Sequence, residues 1–245
     1  MNRVKTLIHV HTNYSFDSDI SLETLAWSVT NERIGCIAVT DHDTIEGARR
    51  LRAMTDARVI VGEEISAREG HLIGLFLQEG VRPRMSAHET ALAIREQGGL
   101  VLAPHPFVKL LSCGLGDAVE QIAELIDAVE VNNAQNILTR PDREAERFSS
   151  RAGLVRYVGA DTHRTGFIAP CYQIMRDFTG PADFLNALAA AELHVGYHPP
   201  SYHAAMGYHV VRSLLGYAPP PSFGVNARPE LDRIPAASIT DVYRA

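Results

Sequence analysis

No stretch of the 245 residues approaches the run of roughly 20 apolar residues that a membrane helix requires, so no span is expected. Cysteine is scarce: Cys36, Cys113 and Cys171 lie far apart and form no C-x-x-C. That excludes a disulfide framework and fits a reducing compartment. The N-terminus carries no basic stretch followed by an apolar core, so no signal peptide is expected and the expected location is the cytoplasm. Lysine is nearly missing, with only Lys5 and Lys109, and every other cation is arginine. Formal net charge is −6, which argues against a broad electrostatic surface for nucleic acid. A nucleotide or a strand end stays open, because bound cations reverse a local potential. Repeats and low-complexity linkers are absent before residue 195.

What is present is an ordinary globular composition, 46% hydrophobic and 21% charged, arranged as alternating strand-like and helix-like segments. Apolar runs predict strands near 4–10, 35–40, 58–66, 71–77, 100–104, 128–132 and 155–160. Helical periodicity predicts helices near 21–33, 44–56, 86–98, 117–127, 137–152 and 181–192. Ser21 is placed to cap the first helix, and Gly98-Gly99 to end the third. Trp27 and the leucines around it read as the surface packing that first helix on the sheet. Strands alternating with helices imply an α/β fold with a parallel sheet or barrel. Beyond residue 195 the pattern weakens, with Pro199-Pro200 and Pro219-Pro220-Pro221 interrupting it. One helix near 202–215 and an extended wrap are expected there. Residues 1–195 therefore read as the barrel and 196–245 as an extension of the same domain, since about 50 residues are marginal alone.

The chemistry lies at the strand ends. His9 and His11 follow the first apolar run, Asp41-His42-Asp43 the second, Glu63-Glu64 the third, His105 the fifth, and Asp161 and His163 the last. Parallel α/β folds place ligand sites at those ends. Each residue alone is ambiguous. An H-x-H on one strand face is a half-site for a transition metal or a pair of core histidines. Asp17 is a turn residue or a ligand. Asp41-His42-Asp43 caps a helix or binds metal, with His42 favoured as ligand and Asp43 as its support. Successive strand residues face opposite ways, so at most one of Glu63 and Glu64 points inward. His71 opens an apolar strand, and His105 is held between Pro104 and Pro106.

Taken in order, these stretches resemble the PHP (polymerase and histidinol phosphatase) family of metal-dependent phosphoesterases. The carriers are His9-x-His11-Thr12-x-x-Ser15-x-Asp17, Thr40-Asp41-His42-Asp43-Thr44 and Gly62-Glu63-Glu64-Ile65-Ser66, then His71 to Phe76, Ala103-Pro104-His105-Pro106, Val129-Glu130-Val131-x-Asn133 and Ala160-Asp161-Thr162-His163. Family members commonly carry aspartate directly after the serine; here Phe16 intervenes. The resemblance implies a distorted (β/α)7 barrel with two or three divalent ions (zinc, manganese or iron) at its mouth. It assigns His9, His11, Glu64 and Asp161 to one ion, Glu64, His71 and His105 to a second, and Asp17, His42 and His163 to a third. It selects Glu64 over Glu63 through the match to Gly-x-Glu, and it makes Asp43, Glu130 and Asn133 supporting neighbours.

The expected activity is hydrolysis of a small phosphomonoester, a nucleotide or sugar phosphate, by a hydroxide bridging two ions, with Glu64, Asp161 and His163 central. Arg164 either reaches a substrate phosphate or sits on a solvated loop. His194, His198, His203 and His209 have no ligand spacing and read as lid or surface residues, His198 standing nearest the mouth. Competing readings are an exonuclease on short oligonucleotides, an amide or lactone hydrolase, and a non-catalytic PHP module. The near-complete ligand set argues against the last. The expected partner is thus a small phosphorylated molecule, with no membrane and nucleic acid only as a short oligonucleotide.

Overall fold

The computed structural model describes residues 3–109 and 113–214, with side chains to Tyr208. Seven strands follow one another around a nearly closed barrel: β1 (Arg3–Val10), β2 (Cys36–Val39), β3 (Arg58–Ser66), β4 (His71–Leu75), β5 (Leu100–Ala103), β6 (Ala128–Asn133) and β7 (Val155–Gly159). Two further strands, β8 (Tyr172–Arg176) and β9 (Glu192–His194), extend the sheet antiparallel from β1. The helices are α1 (Leu22–Asn31), α2 (Glu46–Leu51), α3 (Ala87–Glu96), α4 (Ala118–Gln121), α5 (Arg140–Ala152), α6 (Gly180–Ala189) and α7 (Pro200–Leu214).

Seven strands are present, but they are not seven repeated strand–helix units. β3 runs directly into β4 through residues 67–70, and β4 lies antiparallel to both β3 and β5. That reversal matters for function. In an antiparallel strand the beginning lies where its neighbours end, so His71 at the start of β4 reaches the same mouth as Glu64 on β3. β8 and β9 are additional to the strands expected from the sequence: β9 has three residues, and β8 sets Gln173 and Arg176 among its apolar residues, so neither forms an apolar run.

Closure between β7 and β1 is made at the mouth end only. Ala160 N donates to Ile8 O at 3.0 Å and His11 N to Thr162 O at 3.1 Å. Deeper in the seam a side chain takes over: Gln173 of β8 accepts from Val158 N at 2.6 Å and donates to Thr6 O at 3.3 Å.

Two apolar layers follow from strand alternation. Ile8, Ala38, Ile60, Ile73, Leu102, Ala128 and Tyr157 fill the barrel interior, whereas Leu7, Ile37, Val59, Leu72, Val101 and Val129 face outward to the helices. Phe184 of α6 packs on Phe76, just past the far end of β4, with centroids 5.3 Å apart. α6 thus stoppers the end opposite the mouth. Ser21 caps α1 by accepting from Thr24 N, and Gly98 takes the left-handed φ of 74° after α3, both as the sequence suggested. Trp27 does not pack on the sheet: it is 68% exposed. It lies two residues after the buried Leu25, which turns it to the outer face of α1.

The same alternation separates the two glutamates of β3. Glu64 faces inward, and Glu63 faces outward, accepting from Val81 N at 2.7 Å. Burial lifts Glu63 to about 8. Its folded form holds a proton that the unfolded chain releases above about 4.5, so stability drains away as pH climbs between those values. Glu63→Gln is expected to be more stable than the parent at pH 8.5, by about 5 kcal/mol at most, and level with it near pH 4.5. Thermal denaturation of both proteins across that range checks this; parallel melting curves at every pH would refute it.

Candidate metal centre

The centre begins at an irregularity in β1. The register with β2 slips between Leu7 and Val10, and His9 adopts φ 67°. Leu7 and Val10, three apart, therefore share the outer layer, a spacing an unbroken strand cannot give. The bulge turns both His9 and His11 inward. Each ring is then oriented from behind. His9 Nδ1 donates to Glu130 Oε1 at 2.8 Å, and His11 Nδ1 to Ser15 Oγ at 2.9 Å. Both Nε2 atoms are left facing Glu64 Oε2, each at 3.1 Å.

Glu64 is the hub. Besides those two rings, His71 Nδ1 lies 2.7 Å from Oε1, His105 Nε2 3.0 Å from Oε1, and His42 Nδ1 3.5 Å from Oε2. Asp161 Oδ1 stands 3.5 Å from His9 Nε2 and 3.7 Å from His11 Nε2. On the far flank, Asp17 Oδ2 lies 3.5 Å from His42 Nε2 and 3.3 Å from His163 Nε2. The nine residues expected at the centre thus stand in one continuous cluster. The tightest groups, with ligand atoms within 4.8 Å of one another, are His11–Asp17–His42–His163, His9–His11–Asp161, His9–Glu64–His105 and His42–Glu64–His71.

Arg164 is neither exposed nor on a solvated loop. It is 4% exposed, and its Nη1 donates to the carbonyls of Asp17 at 2.9 Å and His163 at 3.0 Å, tying two loops of the centre together.

The electrostatics are those of a crowded site. Burial works against charge at Glu64, His42 and His11. It is outweighed at Glu64, where His42, His9 and His71 hold the carboxyl well below its usual range, and at His42, which Glu64 and Asp17 lift to about 10. Burial, helped by the charge of His163, instead pushes the adjacent His11 down to about 3. Neighbouring rings are driven in opposite directions because the cluster cannot place a proton on each.

Asp43, Glu130 and Asn133 stand as supporting neighbours, as the resemblance implied, whereas the bracing role of Asp41 and the part played by Gln135 were not legible in the sequence. Asp41 turns away from the centre and braces the loop after β1, accepting from Thr12 N at 2.6 Å and Ser15 Oγ at 3.1 Å. Asp43 clamps the end of β3 through Ser66 N at 2.8 Å. Gln135 Nε2 lies 3.1 Å from His163 Nδ1 and donates to Asp161 O at 2.8 Å. Asn133 Nδ2 joins Glu130 to Asp161, at 2.8 Å each. Two glycines mark where the bracing carboxylates sit. A Cβ on Gly47 would meet Asp41 Oδ2 at 2.0 Å, and one on Gly159 would meet Glu130 Oε1 at 1.5 Å.

The extension also reaches this network. Tyr202 Oη accepts from His163 N and donates to Asp161 O, both at 3.1 Å. His198 stacks on Tyr202 with centroids 3.6 Å apart and donates to Ala160 O at 3.0 Å, so it is a buried brace and not a lid. His194 stacks on Tyr172 of β8 instead. The His209 side chain and the expected wrap beyond 214 lie outside the described residues. Tyr202→Phe is expected to keep the fold and lower turnover about 10- to 100-fold, the usual cost of losing an orienting partner. Metal affinity and kcat measured alongside circular dichroism test this; unchanged kcat would show that the hydroxyl orients nothing.

The donor set fits divalent ions. His11 Nε2, His42 Nδ1 and Asp17 Oδ1 are buried in the cluster without a hydrogen bond. Mixed imidazole and carboxylate donors suit zinc, manganese or iron. Rings tied at one nitrogen by Glu130 and Ser15 are the arrangement that metal-binding histidines need. Backbone strain sits here too: His9, His105 and Asp161 take φ of 67°, 26° and 42°, conformations costing about 1–3 kcal/mol each outside glycine.

Comparison with known proteins points the same way. An uncharacterized protein of Methanocaldococcus jannaschii is 35% identical over 144 residues, spanning 54% of this chain and 82% of the relative. A two-domain protein of Bacteroides vulgatus containing a predicted PHP-like metal-dependent phosphoesterase has a TM-score of 0.65 at 14% identity, over 85% of this chain and 70% of that one. The lesion-specific endonuclease EndoQ of Pyrococcus furiosus has a TM-score of 0.57 at 12% identity, over 78% and 58%. The PHP domain pattern itself matches residues 8–102, the segment running from the bulged β1 through Glu64 and His71 into β5. On that match, and on the barrel it shares with these structures, the chain belongs to the PHP domain family.

Proposed function

We propose that this protein is a metal-dependent phosphoesterase that hydrolyses a small phosphomonoester, a nucleotide or a sugar phosphate. One observation carries the reading: a single buried carboxylate, Glu64, within 3.5 Å of nitrogens from His9, His11, His42, His71 and His105. A carboxylate so surrounded is built to be shared between cations. His9, His11, Glu64 and Asp161 would hold one ion, Glu64, His71 and His105 a second, and Asp17, His42 and His163 a third. Zinc, manganese or iron, when bound, supplies Lewis acidity and water that ionises near neutral pH. The chain itself holds the donors in place through Glu130, Ser15 and Asn133, and Arg164 holds together the loops carrying Asp17 and His163. The net charge of −6 favours a small substrate over a long nucleic acid, and the three widely separated cysteines suit a cytoplasmic setting.

The test compares protein loaded with each metal and protein stripped by a chelator. The substrates are a chromogenic monoester, an alkyl monoester and a short labelled oligonucleotide. Monoester turnover that disappears on chelation and returns with one metal supports the reading. Turnover of the oligonucleotide alone would replace it with the exonuclease reading.

A further inference from the structure

Phe16 stands between Ser15 and Asp17 in the loop leaving β1, and its ring lies against the His42 imidazole, with centroids 5.3 Å apart and planes inclined by 29°. Even so, it is 54% exposed. A single exposed aromatic is ordinary on a protein surface; the position of this one is not. Of the nine clustered residues, Asp17 and His71 have the most open side chains, 25% and 22%, while His42 reaches 9% and Glu64 only 1%. The opening of the centre is therefore on the Asp17–His42–His71 side, and Phe16 forms part of its rim.

The loop presenting that ring is held on both sides. Ser15 Oγ accepts from His42 N at 2.9 Å and donates to Asp41 at 3.1 Å, and the Asp17 carbonyl accepts from Arg164 at 2.9 Å. One face of the ring lies toward His42, and about half of the residue is open to water. An ester whose phosphate sits in the centre must pass its organic substituent out through this opening, beside Phe16. A planar ring gains stacking energy there, whereas a polyol gains little.

We propose that Phe16 is a specificity-determining residue, a preset platform for a nucleobase or aryl ring on the substrate. The inference rests on the hydrolase reading above and narrows it to monoesters carrying an aromatic substituent, against plain sugar phosphates.

The experiment uses the metal-loaded full chain and its Phe16→Leu and Phe16→Trp variants, with phenyl phosphate, a nucleoside monophosphate and glycerol phosphate as substrates. The readout is the ratio of kcat/KM for the aromatic esters to that for glycerol phosphate. Phe16→Leu is expected to lower that ratio about 10-fold, and Phe16→Trp to preserve it. An unchanged ratio in Phe16→Leu overturns the proposal. Calorimetric binding of phenylphosphonate against methylphosphonate to the same proteins needs no turnover. If no ester is hydrolysed, the hydrolase reading fails; a phenyl preference in binding that Phe16→Leu removes still supports the platform, and equal binding of the two phosphonates overturns it.

Discussion

Glu64→Gln is expected to remove turnover almost entirely while leaving the barrel folded. The carboxylate lies within 3.5 Å of five imidazoles contributed by β1, the loop after β2, β4 and the loop after β5, and it is 1% exposed. Glutamine keeps the size and one acceptor oxygen but loses the charge and the second equivalent oxygen, so it cannot be shared between two cations. Loss of a residue that merely orients a metal ligand costs about 10- to 100-fold in affinity or activity. Loss of the shared ligand itself is expected to exceed 100-fold and to lower the metal content of the purified protein. The fold does not depend on that charge, because the apolar layers inside and outside the barrel are separate from it. Elemental analysis, kcat and far-UV circular dichroism on one preparation decide the matter. A glutamine variant with full metal content and full turnover would remove Glu64 from the centre of the mechanism.

Gly159→Ala is expected to cost more stability than any other single methyl added near the site. The new Cβ would stand 1.5 Å from Glu130 Oε1 and 2.5 Å from Glu130 Cδ. Glu130 would have to leave a position where it accepts from His9 Nδ1 at 2.8 Å, His105 N at 2.6 Å and Asn133 Nδ2 at 2.8 Å. Displacing a buried charge from its partners costs about 3–5 kcal/mol, and His9 would lose the contact that aims its Nε2 at Glu64. Chemical denaturation measures the loss. The double variant Gly159→Ala with Glu130→Ala separates the causes: removing the carboxylate relieves the clash, so stability should partly recover while activity should not. If the double variant is no more stable than Gly159→Ala, the clash with Glu130 is not the cause.

Much of this protein can be read from local sequence, and the part that can be read has a common character. The seven barrel strands, the capped α1, the glycine after α3 and the position of His, Asp and Glu at strand ends depend on residues adjacent along the chain. The outward Glu63 and inward Glu64 follow from strand period alone. The edge strand β9 carries only three residues, too few to show a period, β8 sets Gln173 and Arg176 among its apolar residues, and the outward face of Trp27 is set by the one helix stripe that meets the sheet.

What the sequence determined on its own was the set of candidate metal donors and the α/β alternation that would bring them to one end, because strand period and strand-end position are local properties. What only the tertiary structure decided was how those donors are aimed. The bulge that turns His9 inward, the reversed β4 that delivers His71, Glu130 filling the space beside Gly159, and Tyr202 reaching His163 from the extension each join residues far apart in the chain. Such pairings become visible only when packing brings those segments together, since hydrogen bonds and steric contacts act over a few ångströms whatever the distance along the sequence.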